Sequence, residues 1–314
     1  MSKFYYIFAS GLVLLSLAAC SRKVEPQEPE DLTGEIVKTI EFSLPDIPYE
    51  PGDVDTRIQL IRNGSSMTFA FQATDTLGIC PSEGSPIYFK SSVSEGTTAS
   101  FDGGAWLLKS DATYYSYFPF VGNMYLDKTR VPVDFSGQSQ QGNGTTVVQA
   151  VPFFACTGEY NSVSKKVSFP LIMVNCYINI NATLPAGTYT KMHLKIEDPL
   201  FVKHGTVDIT QASPAITAVE YSDLLTLDLN NVTLASEGLL AAYVASAPMD
   251  LSGKVLKIYF LTDEGFVYKA EKTPSKAWSG GVRYGLSCTP ALDDGYSFGI
   301  SSWTPDASYS GTAE

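Results

Sequence analysis

The chain has 314 residues, with 21 lysines and arginines against 33 aspartates and glutamates, and a formal net charge of −12 at pH 7. This negative surplus repels nucleic-acid phosphates and anionic lipid headgroups, so it excludes a nucleic acid as partner and an electrostatic attachment to membranes. The 17 phenylalanines and 18 tyrosines, together with many threonines and valines, favour β-strands. A chain of this length exceeds the usual size of one compact domain, and two domains are expected.

The N-terminal segment has the organisation of a lipoprotein signal peptide. Lys3 supplies a positive charge, residues 7–17 are largely apolar, and Leu17-Ala18-Ala19-Cys20 has the order of a lipobox. The apolar run is shorter than the about 20 residues that a transmembrane helix needs. We therefore expect residues 1–19 to be removed and Cys20 to carry a lipid anchor. The alternative is a soluble secreted protein in which Cys20 has no such role.

A polar tether and a first strand follow. Residues 20–33 are rich in proline and glutamate and too polar to form a core, so they are expected to be disordered. The next segment alternates with period two, which predicts a strand with Ile36, Ile40, Phe42 and Leu44 on its buried face. A loop rich in proline and acidic residues then ends at Asp55-Thr56-Arg57.

Short segments of alternating apolar residues continue along the rest of the chain. The longest runs from Ile172 to Leu184 and predicts a half-buried strand, since apolar side chains alternate there with Asn, Tyr and Thr. Asp263-Glu264-Gly265 predicts a hairpin turn. The other predicted strands are Phe69–Phe71, Ile87–Phe89, Trp106–Leu108, Tyr114–Phe120, Met192–Ile196, Leu225–Leu229, Leu256–Phe260, Phe266–Ala270 and Phe298–Ile300.

This series of short strands predicts an all-β protein, because many strands separated by turn residues are typical of a sandwich or barrel. No window has the period of an amphipathic helix over three turns. The polar segment 158–166 separates two apolar stretches and marks the expected domain junction. We therefore predict an N-terminal β-sandwich domain of residues 34–160 and a C-terminal one of residues 161–314.

The sequence contains no motif for catalysis or for a metal. His193 and His204, the only two histidines, lie on separate predicted segments without a metal-ligand spacing. His193 alternates with Met192 and Leu194, which predicts that its side chain faces solvent. Phosphate-binding loops, zinc-protease motifs and nucleophile elbows are absent. We predict no enzyme, no metal and no cofactor, although catalysis by distant carboxylates stays open.

The four cysteines after the lipobox have wide, irregular spacings. Two disulfides are one interpretation, but the spacings match neither a small disulfide scaffold nor a metal cluster. We favour four reduced packing residues, which behave as small apolar side chains: Cys80, Cys156, Cys176 and Cys288.

Aromatic side chains are the candidates for binding a sugar. They could stack on a glycan, but bulky aromatics also fill the cores of sandwiches, and we favour this second interpretation. The set consists of Trp106, Tyr114, Tyr115, Tyr117, Phe118, Trp278, Tyr284, Tyr296 and Trp303.

Two pairs of aromatic motifs follow one another along the chain: Phe101-Asp102-Gly103-Gly104-Ala105-Trp106-Leu107-Leu108 precedes Tyr114-Tyr115-Ser116-Tyr117-Phe118-Pro119-Phe120, and Trp278-Ser279-Gly280-Gly281-Val282-Arg283-Tyr284 precedes Ile300-Ser301-Ser302-Trp303. The order of these motifs resembles that of the fimbrillin family of Bacteroides-type bacteria. The lipobox and the loop with Thr56-Arg57 agree with the same family. The resemblance covers essentially the whole mature chain and implies two tandem transthyretin-like β-sandwiches in a subunit of a type V pilus.

The resemblance also implies a route of assembly at the cell outer membrane. A trypsin-like protease would cut after Arg57, or alternatively after Arg62, and remove the strand Ile36–Leu44. A strand of another pilus subunit would fill the vacated groove. The candidate donor strand carries Tyr296, Phe298, Ile300 and Trp303, although residues 305–314 after it are polar.

The resemblance does not decide whether the subunit would belong to the stalk, the basal anchor or the tip of the pilus, or fimbrium. A host glycan or protein receptor is a further implied partner. The alternative function is a monomeric surface lipoprotein that binds glycans through exposed aromatics.

Overall fold

The computed structural model describes residues 34–50, 61–63, 66–68, 70–71, 75–91, 96–103, 107–120, 127–143 and 153–293, with the backbone alone in 46–50, 61–63 and 66–68. Within these ranges all helices are absent and the regular elements are strands, so the predicted all-β class is confirmed. The same ranges therefore contain no helix able to cross a membrane.

Within the described residues, twenty-four strands follow one another in chain order. They are β1 Thr39–Ser43, β2 Asp46–Glu50, β3 Ile61–Asn63, β4 Ser66–Thr68, β5 Thr76–Pro81, β6 Ile87–Lys90, β7 Thr98–Asp102, β8 Tyr114–Phe118, β9 Val131–Asp134, β10 Gln138–Ser139, β11 Phe154–Thr157, β12 Glu159–Asn161, β13 Lys166–Pro170, β14 Ile172–Met173, β15 Cys176–Leu184, β16 Gly187–Lys195, β17 Phe201–Val207, β18 Ile216–Ser222, β19 Leu224–Leu234, β20 Gly238–Ser246, β21 Leu256–Thr262, β22 Val267–Lys272, β23 Arg283–Cys288 and β24 Ala291–Leu292.

These strands form five sheets. Their orders are β12-β13-β1-β7, β10-β19-β16-β21-β22-β24, β14-β11-β8-β5-β6, β20-β15-β23-β2-β4-β3 and β18-β17-β9. Buried side chains from all of them join in one apolar core. Strands β1, β2, β9 and β10 each pair with a strand from the second half of the chain. The boundary expected between residues 160 and 161 falls within β12, and the division into two domains stays a prediction.

The long alternating run forms two strands, β14 and β15, with an interruption at Val174 and Asn175. The prediction of a half-buried strand is wrong for β15, because its second face is buried as well. Asn179 and Asn181 donate hydrogen bonds to each other's side-chain oxygens there, at 3.3 and 3.2 Å. An alternation of polar and apolar residues therefore does not by itself indicate a solvent-exposed face, because amide side chains that bond to each other can be buried.

The predicted turn at Asp263-Glu264-Gly265 is confirmed between β21 and β22. Gly265 has a φ of 88°, which only glycine adopts without strain. The Thr262 N–H donates to the Phe266 carbonyl at 2.9 Å, and this bond closes the hairpin.

Two short predicted strands differ from the structure. Of the strand predicted at Trp106–Leu108, the structure describes Leu107, which has a φ of 52° and lies in a turn, and Leu108, which is in no strand. Of the strand predicted at Phe69–Phe71, the structure describes Ala70 and Phe71, and Phe71 forms an isolated bridge with Gly96. Phe298–Ile300 lies outside the described residues. A pattern of three residues is too short to predict a strand, because the local geometry of a turn can outweigh it.

Candidate functional site around the first strand

The first strand lies inside a sheet and has a neighbour on each side. It runs parallel to β13, with Phe42 opposite Phe169, and antiparallel to β7, with Phe42 opposite Ala99. Backbone hydrogen bonds continue at its C-terminal end, from Leu44 N–H to the Thr97 carbonyl at 2.9 Å and from Leu171 N–H to the Ser43 carbonyl at 2.9 Å. Loss of β1 would therefore leave open edges on both β13 and β7.

The buried face of β1 fills the centre of an aromatic cluster. The Phe42 ring stacks on Phe169 with 5.1 Å between centroids and contacts the edge of Phe101 at 5.8 Å. Phe89 completes the cluster, at 6.3 Å from Phe42 and 4.9 Å from Phe101. Phe42 is fully buried. Its position would become an apolar groove if the strand left.

Three of the four predicted residues of this face are buried, namely Ile40, Phe42 and Leu44. Ile36 departs from the prediction: its side chain is 43% exposed, and Val37 is buried in its place. The reason is that β1 begins at Thr39, so the period of two does not extend back to Ile36, which forms an isolated bridge with Lys109.

One ion pair holds the other face of β1, and a second holds the segment just before it. The Lys166 ammonium donates to the Glu41 carboxylate at 2.8 Å, and Lys165 contacts Glu35 in the same way just before the strand. The hydrogen bond from Lys165 lowers the pKa of Glu35 from its ordinary value. Both lysines lie at the start of β13 and would lose these partners together with β1.

The position of Gly103 also depends on close approach to the segment before β1. Its N–H donates to the Lys38 carbonyl at 3.1 Å, and a Cβ at this position would lie 2.7 Å from the Val37 carbonyl oxygen. This distance is shorter than real Cβ contacts, so the glycine permits the segment to lie against β7.

The next strand, β2, lies in a different sheet between β23 and β4. Tyr49 and Glu50 pair with Arg283 and Tyr284 of β23 in a parallel register. A cut after Arg57 would therefore detach both β1 and β2. The space left behind would extend over two sheets.

The remaining predicted sites lie mostly outside the described residues. This holds for the lipidation site Cys20, for the cleavage site Arg57 and for the donor residues Tyr296, Phe298, Ile300 and Trp303. The alternative cleavage site, Arg62, lies in β3, which pairs with β4.

Side-chain amides cover the free edge of another strand, β20. Gln138 accepts from the Ala245 N–H at 2.8 Å and donates to the Ala245 carbonyl at 2.9 Å. Gln140 accepts from the Tyr243 N–H at 3.0 Å and donates to the Ala241 carbonyl at 2.8 Å.

Asn143 continues the row, accepting from the Ala241 N–H at 2.9 Å and donating to the Leu239 carbonyl at 2.8 Å. We call Gln138, Gln140 and Asn143 the amide row. The amide row binds backbone N–H and carbonyl groups of β20 that an edge strand would otherwise offer to another chain. Sequence analysis missed it, and the only signal was the spacing of two residues between Gln138 and Gln140.

Gln140→Leu is expected to lower the free energy of unfolding by about 2 kcal/mol or more, because a buried N–H and a buried carbonyl would both lose their partner. Chemical denaturation followed by tryptophan fluorescence measures this loss. The matched control is Gln141→Leu, since Gln141 is the exposed neighbour. Equal stability of the two variants would show that the amide row does not hold the edge of β20.

The candidate sugar-binding aromatics are largely part of the core. Tyr114, Tyr117 and Trp278 are buried, and Trp278 stacks on Tyr284 at 5.9 Å. Tyr115, Phe118 and Tyr284 are half-buried, whereas Trp106, Tyr296 and Trp303 lie outside the described residues. The described members of the set therefore fit the packing interpretation better than a glycan platform.

The prediction of a solvent-facing His193 is wrong. The side chain is fully buried in β16, between β19 and β21, and its Nδ1 lies 3.0 Å from the Thr226 hydroxyl. Burial lowers the pKa of His193 to about 4. The interior of this sheet thus contains an imidazole that is neutral at pH 7.

The other groups with potential chemistry are isolated from one another. The four cysteines are free and buried, as predicted, and burial raises the pKa of Cys80 and Cys176 to about 12 and of Cys288 to about 11. Among the residues that the structure describes, no three His, Cys, Asp or Glu side chains form a group that could hold a metal ion.

Comparison with known proteins finds similar solved structures but no matching family. No family model and no curated protein matches the chain. A proposed cell adhesion protein from Bacteroides ovatus has a TM-score of 0.48 at 14% identity, over 82% of this chain and 96% of that one. One from Bacteroides uniformis has a TM-score of 0.46 at 15% identity, over 71% and 93%.

The tip fimbrial protein Mfa3 from Porphyromonas gingivalis, in a C-terminally truncated form, is also similar. Its TM-score is 0.41 at 10% identity, over 82% of this chain and 96% of that one.

Proposed function

We propose that this chain is a non-enzymatic structural or adhesive subunit of a pilus on the bacterial cell surface. The observation that carries the proposal is the position of β1, an internal strand with a buried aromatic centre, and the sequence after β2 contains Arg57 in a segment rich in proline and acidic residues. Removal of an internal strand leaves two open edges and an apolar groove, which an extended segment of another chain can complete.

The proposed assembly begins with export as a lipoprotein attached to the outer membrane through Cys20. Cleavage after Arg57, or after Arg62, then removes the N-terminal segment with β1 and β2. Another subunit supplies the replacing strand, for which residues 296–303 are the candidate in this chain. The partners are thus other pilus subunits, the outer membrane before cleavage, and a host glycan or protein receptor if the subunit is adhesive.

Cleavage can be tested on the surface form of the protein. Cells that produce the unchanged chain should yield subunits whose N-terminus follows Arg57, in ladders that resist denaturant. Arg57→Ala should abolish both, or should shift the N-terminus to residue 63 if Arg62 replaces it. N-terminal sequencing and unheated gel electrophoresis measure the two outcomes.

The matched control for this experiment is Arg130→Ala, because Arg130 is an exposed arginine far from Arg57 in the sequence. It should leave processing and ladders unchanged. A surface form that begins only at Cys20, with no ladder, would contradict a processed stalk subunit. Cys20 as the sole N-terminus within an intact fimbrium would instead indicate a basal anchor.

A further inference from the structure

We propose that the groove left by β1 selects strands with a carboxylate immediately before the aromatic residue, and that this favours a strand from a different subunit over the chain's own candidate donor. The inference rests on the proposed strand replacement. It concerns which partner fits, and it follows from the charged face of β1 and not from its apolar face.

The charged face has a defined register. Glu41 lies opposite Ser168 of β13 and Ser100 of β7, so its direct neighbours are neutral. Lys166, two residues before Ser168 on β13, reaches across to Glu41 at 2.8 Å. The two side chains are 29% and 34% exposed, so solvent screens this pair less than one on an open surface. A replacing strand without a carboxylate would leave Lys166 without the partner that β1 supplies.

A second pair extends the same pattern toward the start of β13. Glu35 contacts Lys165, and the Tyr160 hydroxyl donates to Glu35 at 3.5 Å. Glu35 is more exposed than Glu41, so its contribution is expected to be smaller. The groove therefore offers positive charge at two places along one side of the incoming strand.

The chain's own candidate donor matches only the apolar face. When Phe298 takes the place of Phe42, Tyr296 and Ile300 take the places of Ile40 and Leu44. The residue that then faces Lys166 is Ser297, which carries no charge. A better partner is a strand of alternating apolar residues with Glu or Asp directly before a central aromatic residue.

Peptide binding to the full mature chain can test this selection. A protease site in place of residues 53–59 allows the chain to be cut, and mild denaturant followed by dialysis removes the released segment. Peptides of residues 34–44 are then titrated by fluorescence anisotropy, unchanged or with Glu41→Gln or Glu41→Lys. We expect affinity to fall about threefold for Gln and about tenfold for Lys, given the size of partly exposed ion pairs.

Reversal of the charge on the groove provides the matched variants. In a Lys166→Glu chain the Glu41→Lys peptide should bind more tightly than the unchanged peptide. In a Lys166→Gln chain the unchanged, Glu41→Gln and Glu41→Lys peptides should bind with similar affinities. A peptide of residues 294–304 should bind the unchanged chain more weakly than residues 34–44, and Ser297→Glu should strengthen it about threefold.

The outcomes separate this inference from the proposed function. Tight binding that is independent of charge in all three chains would overturn the selection and leave strand replacement intact. If Ser297→Glu does not strengthen the binding of the 294–304 peptide, the register that places Phe298 at the position of Phe42 is wrong. Failure of the unchanged peptide to bind at all would overturn strand replacement and the selection together.

Discussion

Phe42→Ala is expected to lower the free energy of unfolding by about 3–5 kcal/mol, the usual cost of removing a buried phenylalanine. The ring is fully buried and stacks on Phe169, so the vacated volume is bordered by rigid rings that cannot collapse into it. Chemical denaturation of the chain from residue 21 measures the loss. Phe42→Leu should cost less, because leucine fills part of the space.

Val163→Ala is the control for this result. Val163 is 92% exposed in the turn between β12 and β13, so its truncation should change stability by less than about 0.5 kcal/mol. A loss below about 1 kcal/mol for Phe42→Ala would show that β1 is not part of the core. The strand could then leave without opening an apolar groove, and strand replacement would lose its driving force.

Stability is expected to fall by about 3 kcal/mol as the pH decreases from about 6.5 to about 4, through the titration of His193 alone. Burial lowers the pKa of His193 to about 4 in the folded chain, whereas an unfolded histidine titrates near 6.5. Between these values the unfolded chain binds a proton that the folded chain does not, so acid favours unfolding. Denaturation at a series of pH values measures the slope.

His193→Gln should flatten this slope between pH 6.5 and 5, since glutamine does not titrate there and can still bond to Thr226. The control is His204→Gln, which replaces the only other histidine, at 38% side-chain exposure beside Asp134 and Glu220. This control should keep the slope that His193 causes. An unchanged slope in His193→Gln would contradict the assignment to the buried imidazole.

The features that could be predicted from the sequence are those set by local patterns. Ile40, Phe42 and Leu44 alternate with polar residues, and β1 forms with that burial pattern. Asp263-Glu264-Gly265 supplies the glycine that a tight turn needs, and the hairpin of β21 and β22 forms around it. In both cases the sequence pattern that allows the prediction lies within a few residues.

The features that could not be predicted depend on what covers the second face or edge of a strand. His193 and Asn179 have the alternation of solvent-facing residues but are buried, because other parts of the fold cover them. The row of Gln138, Gln140 and Asn143 meets residues about a hundred positions away along the chain. Sequence periodicity carries no information about such distant partners.

The central claim is that β1 can be exchanged for a strand of another chain, and the mass of the cut protein tests it most directly. Mature chains with a protease site in place of residues 53–59 would be cut, and their mass measured by light scattering at rising concentration. We predict that, once mild denaturant and dialysis have removed the N-terminal fragment, the protein reaches masses of two, three and more chains. A single-chain mass at every concentration after removal of the fragment would contradict strand exchange.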